Sequence, residues 1–511
     1  MADAREGAYT AEEEVRVKAI HAEHAFLGHP RGVGTLSFMT MFNSIANYSM
    51  GAVLIYYLYA TVAEGGLGFS ETEAAQLVSL YWAVSGLAGL VGSYVADRVL
   101  GPRAAVRVAK CVGAAGYVFL AIRPLGVAGY ALSQLLLLCS AMIQGRAQGA
   151  LMAGLYDEDD PRRDGAWSID YVINNVGAAI PVVAGTIALM WGYEAAFAIA
   201  AASAIIGTSI YIVTERRFFG PIAVRPGDPL PANKKVGFIV RLVVIILAFA
   251  GVLAGLLVSG TISIKQFSTF GSTITIIIPF FYLAYIVKSK KVTKAESVAA
   301  AAILPMFIAN CFTQLVWNQG TTILSIYAET TVDRNLFGLE FTPAAFQTVP
   351  AVLGAVFGVV ATFLWTKLGT RQPSAPAKFG IGTFLWGLGP VFMCLPFVLF
   401  PAGVKVSPLW LIAFYVIIIA GEALTNATGY STASAIAPKA FASQMITVWG
   451  LSQSAGAGLT TVFVNFYHEG SEVPYFLVIG GVTIAIGVAL LVFAKPLTRR
   501  LGLELASDQE R

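Results

Sequence analysis

"VGTLSFMTMFNSIANYSMGAVLIYYLYATVA", Val33 to Ala63, carries no charged residue. It outlasts the roughly 20 apolar residues that carry an α-helix across a bilayer. It is also far longer than a barrel strand of about 10 residues, so the spanning element is a helix. Inside it, Thr40, Asn43, Ser44 and Asn47 are polar, at spacings of three, one and three. Those spacings place all four on one helical face. A membrane helix thus carries a polar stripe with no charge in it, and the rest of the chain must explain why.

The surrounding sequence is of the same kind. Of 511 residues, 57% are hydrophobic and 12% charged, and mean hydropathy is +0.72. A soluble chain would carry roughly a quarter charged residues, so this is a polytopic, all-α integral membrane protein. The net charge of +4 gives no reason to expect a nucleic-acid partner. Cys111, Cys139, Cys311 and Cys394 fall inside apolar runs, where free cysteine packs as a small hydrophobe. The polar N-terminal segment lacks an apolar signal region, so the first membrane helix is expected to direct targeting. His21, His24 and His29 precede that helix, and His468 lies in a later loop. The "HAEH" spacing resembles a metal motif but sits in a solvated tail. Neither a metal, nor a cofactor, nor enzyme chemistry is expected.

Fourteen spans are legible. Six lie at about 34–60, 72–96, 104–122, 127–155, 166–190 and 193–213; two at about 237–260 and 270–287; six at about 300–328, 343–367, 378–401, 407–436, 443–467 and 473–495. The expected organisation is an N-terminal segment (1–33), a six-helix bundle (34–213), a linker with two extra helices (214–299), a second bundle (300–495) and a tail (496–511). Lys and Arg crowd one set of loops, among them Arg98, Arg103, Arg162, Arg163, Lys234, Lys290 and Arg499. The other set keeps Arg123, Lys265, Arg334 and Lys405. The positive-inside rule then puts both termini in the cytoplasm of a multi-pass (inner) membrane protein. A six, two, six layout suggests a major facilitator fold, whose halves rock about a central site.

The loop "GSYVADRVLGPRAAV", with Asp97, Arg98 and Arg103, matches the short-loop motif of major facilitators. A positive-inside loop with a turn glycine would read similarly. More specific is "GLYDEDDPRRDGAWSIDYVINNVGA", Gly154 to Ala178. It resembles the fifth helix of the proton-dependent oligopeptide transporter (POT/PTR) family and the loop before it. "FLGHPRGVGTL", "TTVDRNLFGLEFTPAAFQ" and "GEALTNATGYSTASAIAPKAFASQMITVWGLS" resemble further segments of that family, whose bacterial members carry an extra helix pair. The resemblance extends from about residue 26 to 495. It implies transport of small peptides, usually driven by protons, by a protein that works as a monomer in the lipid bilayer.

The resemblance also implies where the chain departs. Helix 1 of the family carries E-x-x-E-R; here Thr40, Asn43 and Ser44 stand at those positions. Helix 7 carries F-E-Q; here it is Trp317, Asn318 and Gln319. The lysine of helix 4 is replaced by Gly145, with Arg146 adjacent. Amides and hydroxyls do not titrate near neutral pH, so the family's usual coupling route is missing.

Three ionisable groups remain at membrane depth, where they are costly and usually functional. Glu422 matches the tenth-helix acid that binds a peptide amino terminus. Arg146 either pairs with Asp170 or binds a carboxylate with its fork of donors. Asp170 is either that partner or a displaced proton acceptor. Tyr48, Tyr56, Tyr81, Asn175, Trp317, Asn318, Trp449 and Ser452 match or adjoin family pocket positions, and each also reads as plain helix packing. Three functions stay open: a carrier of peptides or peptide-like amines with altered or lost proton coupling, a proton symporter with coupling moved to Asp170 or Glu422, and a non-transporting membrane sensor.

Overall fold

A computed structural model gives the architecture. It describes residues 9–503 other than 146, 158–159, 161, 227–228, 337, 369–370 and 402. Arg146 therefore lies outside the described residues, as does the side chain of Asp97.

Helix α1 (Ala11–His21) starts at a reciprocal cap: Glu13 N–H donates to Thr10 Oγ1 at 3.2 Å, and Thr10 N–H to Glu13 Oε2 at 2.9 Å. Each bond satisfies a backbone or side-chain group that a helix end leaves open. The long helices follow: α2 (Arg31–Tyr59), α3 (Glu71–Val95), α4 (Pro102–Ala121), α5 (Gly126–Gln144) and α6 (Ala147–Ala153). Next come α7 (Arg163–Ala178), α8 (Pro181–Trp191), α9 (Tyr193–Phe218) and α10 (Ala232–Val258). After α11 (Ile264–Lys288) come α12 (Lys294–Ala302), α13 (Leu304–Gln319) and α14 (Ile323–Thr330). The chain ends with α15 (Val349–Leu368), α16 (Ala375–Leu399), α17 (Leu409–Ala435), α18 (Ala442–Phe463), α19 (Glu472–Val492) and α20 (Ala494–Arg500). Among the described residues, eleven helical stretches are long and apolar enough to cross a membrane; with α2, α3 and α18, of matching length, they make fourteen.

Three expected spans are broken rods. The run 127–155 divides into α5 and α6 at Gly145, whose φ of 45° belongs to the left-handed region. Only glycine enters that region without a steric penalty, so the break needs a glycine at 145. The run 166–190 divides ahead of α8, which opens with a proline in its first turn. The run 300–328 divides into α12, α13 and α14, and α13 likewise opens with a proline. Proline lacks the N–H that a continuing helix needs and fits the first turn of a new one.

The chain forms two compact units. The first comprises residues 1–67 and 87–264, the second 68–86 and 265–511. In the first, α2 is the central rod, packed on α7, α8 and α9, while α4 packs on α5 and α9. Leu36, Met39, Leu151, Tyr211 and Phe219 fill its core. In the second, α16 packs on α17 and α19, and α13 on α18. The first part of α3 belongs here: Ser79 Oγ meets Thr461 Oγ1 at 2.9 Å, and Gln76 Nε2 donates to Asn465 Oδ1 at 2.9 Å. The extra helices are shared out, α10 to the first unit and α11 to the second.

Candidate functional site

The stripe on α2 divides along its length. Ser37, Thr40 and Ser44, spaced three then four, line the side of α2 toward α7, where Asp170, Asn174 and Gly177 are spaced four then three. Ser44 Oγ donates to Asn174 Oδ1. A Cβ on Gly177 would lie 2.5 Å from Met41 O and 2.8 Å from Ser44 Cβ, so the two backbones meet there only because residue 177 has no side chain. From α6, Gln148 Nε2 donates to Thr40 Oγ1 at 2.7 Å, and Gln144 Nε2 donates to Gln148 Oε1 at 3.2 Å. Asn43 lies at the other edge of the stripe and donates back to Met39 O at 2.8 Å.

Asp170 lies at the Ser37 and Thr40 end of this seam. The hydroxyls of Ser37 and Thr40 act on its carboxyl. Asp170 Oδ1 is nevertheless buried with no hydrogen-bond partner, and so is Ser37 Oγ. The pairing with Arg146 that the sequence allowed falls outside the described residues; among those residues no ion pair includes Asp170. Asn175 is half-buried and donates to Tyr171 O at 2.9 Å. Tyr48 is exposed, whereas Tyr56 is buried with its ring edge-on to Tyr59.

The second unit holds the other expected residues. Glu422 sits midway along α17, half-buried, and its carboxyl makes no ion pair among the described residues. One turn on, Thr425 accepts the Trp386 indole N–H at 3.2 Å, and the Trp386 ring stands edge-on to Trp317 at 6.3 Å. This aromatic pair ties α17 through α16 to the α13 turn that carries Asn318. Asn318 is buried and donates to Gln314 O at 2.7 Å. Tyr475 donates to Gln319 Oε1 at 2.9 Å. Trp449 and Ser452 face inward: Trp449 packs against Phe307 and Phe379, and Ser452 Oγ accepts from Asn310 Nδ2 at 2.6 Å. Tyr81 stands edge-on to Trp82 in the first part of α3.

At the end of the first unit where α1 lies, Glu215 is 1% exposed and takes Arg107 Nη1 at 2.5 Å, with Arg103 Nε at 3.8 Å. Arg103 also donates to Gly220 O, and Tyr211 donates to Arg103 O at 3.1 Å. The guanidinium of Arg98 lies over the Tyr94 ring at 5.6 Å. The motif thus acts as a cross-tie between α4 and α9, and the sequence had not shown Glu215 as its partner.

Beside it, the segment ahead of α7 is strapped to the N-terminal residues. Arg162 donates to Glu23 O at 3.0 Å, to His21 O at 2.6 Å and to Asp160 Oδ2 at 2.7 Å. That donation holds the Asp160 carboxyl down to about 2. His21 Nδ1 meets Asp157 Oδ1 at 2.9 Å, and His29 Nδ1 meets the Tyr156 hydroxyl at 2.7 Å. Burial, then the Arg162 charge, hold His29 below its usual range; burial pushes the Tyr156 hydroxyl up to about 12.

Spanning helices broken at membrane depth, with polar and ionisable side chains turned into the bundle interior, define a membrane transporter of the major facilitator type. The family profile described as PTR2, POT family, matches residues 149–486, and the chain belongs to that family. It is 31% identical over 488 residues to the "Di-/tripeptide transporter" of Lactococcus lactis subsp. cremoris, covering 94% of this chain and 98% of that one. The "Crystal structure of peptide transporter POT in complex with sulfate" superposes with a TM-score of 0.90 at 31% identity, over 96% of this chain and 99% of that one. A structure of a POT family transporter in complex with 5-aminolevulinic acid matches with a TM-score of 0.88 at 29% identity, over 94% and 99%.

Proposed function

We propose that the protein carries di- and tripeptides, or peptide-like molecules with an amine, by alternating access, and that family-type proton coupling is altered or lost. The observation that carries the second part is the chemistry of Thr40, Asn43, Ser44 and Asn318. All four are neutral, and each is held by a neutral hydrogen bond. None can exchange a proton between states near pH 7. Substrate class is supported by the family and by the names of its relatives. Glu422 supports an amine-bearing substrate, because no cation among the described residues pairs with its carboxyl. In this reading Tyr48, Tyr56, Tyr81, Asn175, Trp317, Trp449 and Ser452 shape or brace the binding surfaces. Residues 34–213 and 300–495 are the two functional halves, and 214–299 carries the extra pair. The protein works as a monomer in the inner membrane with both termini cytoplasmic, as the Lys and Arg bias favours.

A second reading is favoured by one observation: Asp170 Oδ1 is buried and unpartnered. A carboxyl in that condition can take up a proton, so coupling moved to Asp170 remains a distinct outcome. The test is peptide uptake in proteoliposomes. Counterflow without accumulation under an imposed proton gradient supports the first reading. Proton-driven accumulation overturns it in favour of the second.

A further inference from the structure

We propose that the place where the end of α3 meets the start of α10 binds the phosphate headgroup of an anionic glycerophospholipid, held by Arg241 and Lys234. The site lies within the first unit and does not depend on which substrate the protein carries. Its first support is how little of α10 is covered. The apolar stretch of this helix is wholly unburied, and among the described residues it packs broadly on no other helix. The start of α10 is fastened to the end of α3: Leu230 N–H donates to Arg98 O at 2.9 Å, and the Phe238 ring meets Tyr94 at 5.5 Å. Past Phe238 the helix stands bare, and Val240, Val244 and Leu247 are exposed. In a bilayer, acyl chains cover such side chains.

The charges at this end of α10 select which lipid. Lys234, Phe238 and Arg241 are spaced four then three, so the two cations flank Phe238 on the face turned to Tyr94. The Arg98 guanidinium lies over the Tyr94 ring at 5.6 Å, which sets the aromatic pair among three basic residues. Lys234 and Arg241 are both exposed, and neither makes an ion pair among the described residues.

Depth is the second, independent support. Counting about 20 residues back from Val258, the far end of α10, puts the hydrocarbon edge near Ile239. Arg241 falls inside that edge and Lys234 outside it, in the headgroup layer, about 10 Å apart along the axis. A lipid-facing cation at the depth of Arg241 is costly unless an anionic oxygen meets it. Helical side chains lean toward the N-terminus, which here is the direction of the headgroups, so the guanidinium can snorkel to a phosphate. Its fork fits phosphate oxygens in pairs, and Lys234 adds a point charge above. A zwitterionic headgroup would bring its own cation up against Lys234, whereas a net negative one satisfies both residues.

The test is native mass spectrometry of the full chain, titrated with phosphatidylglycerol or with phosphatidylcholine. The parent should retain one phosphatidylglycerol at concentrations where phosphatidylcholine is not retained. Replacing both cations, Arg241→Gln with Lys234→Gln, should raise the half-saturating phosphatidylglycerol concentration about thirtyfold. Lys290→Gln with Lys291→Gln removes the same charge from an exposed turn of the second unit and should change nothing. Arg241→Lys keeps the charge but loses the fork; it should weaken retention by less than the double change, and it serves as the second variant should that one fold poorly. Equal retention of the two lipids would overturn the site, as would equal losses in the two double variants, which would mean unlocalised attraction to the membrane. Displacement of the lipid by inorganic phosphate alone would assign the cations a free anion and overturn the lipid.

Discussion

Gln148 on α6 donates its side-chain amide to the Thr40 hydroxyl on α2 at 2.7 Å. In the family that this chain resembles, helix 1 carries a glutamate at the position of Thr40. An amide paired with a hydroxyl forms a neutral contact that does not depend on pH. The stripe on α2 has therefore become a bundle seam along one edge, where Thr40 and Ser44 are engaged. The consequences can be measured residue by residue.

Glu422→Gln keeps the size of the side chain and removes its charge. If Glu422 recognises an amine, uptake and binding of amine-bearing peptides should fall to background while the thermal midpoint changes little. An N-acetylated peptide, which lacks the cation, should be indifferent to the substitution. Undiminished uptake of the free-amine peptide by the variant would remove Glu422 from the substrate site.

Gly177→Val tests the closeness of α2 and α7. A first side-chain carbon there would stand 2.5 Å from a backbone oxygen of α2, and backbone cannot yield as a side-chain tip can. Overpacking of this kind typically costs about 1–3 kcal/mol. The expected outcome is a lower thermal midpoint, because the helices that carry Ser44 and Gly177 are pushed apart. A variant as stable as the parent would show that the seam can separate freely.

Much of this was legible beforehand, and the reasons are physical. The spans could be read because apolar length is a direct requirement of the bilayer. The departures at Thr40, Asn43, Ser44 and Asn318 could be read because those residue types cannot do the chemistry they replace. Ser37, Gln144, Gln148 and Asn174 were missed. Each is an ordinary polar residue whose meaning depends on which helix it faces, and the one-turn spacing of Ser37, Thr40 and Ser44 and of Asp170, Asn174 and Gly177 was the available signal. Glu215 was missed because it stands 112 and 108 positions from Arg103 and Arg107, on another helix, and nothing local couples α9 to α4. The break at Gly145 could not be told from an ordinary helical glycine until its backbone angle was known.

Glu215→Ala should be among the most damaging changes outside the transport path. The substitution leaves Arg103 buried without its carboxylate, and removing one partner of a buried pair costs about 3–5 kcal/mol. Arg107, 39% exposed, can turn to solvent, so the lower end of that range, about 3 kcal/mol, is expected. The measurement is the thermal midpoint and the yield of folded protein in membranes. Glu215→Asp, which keeps the charge but shortens the reach, should recover part of the loss.

The strap at the α1 end should loosen as pH falls, and the window identifies the residue responsible. Burial and Arg162 hold the His29 pKa below the ordinary value of 6.5, so the fold favours neutral His29. Its contribution is fully present above about 6.5 and is lost as pH falls through the lower folded-state value. Asp160 behaves in the opposite sense: its carboxyl is held down to about 2, so its contribution is present above about 3.8 and is lost only below that. Between pH 7 and 5, loosening that comes from one of these two groups therefore belongs to His29 and not to Asp160. Limited proteolysis or amide exchange of residues 9–31 across that range measures it. The expected profile shows faster exchange toward pH 5 in the parent, and a flatter response in His29→Gln, which has no titrating ring. A variant that loosens over the same pH range as the parent would remove His29 from the strap.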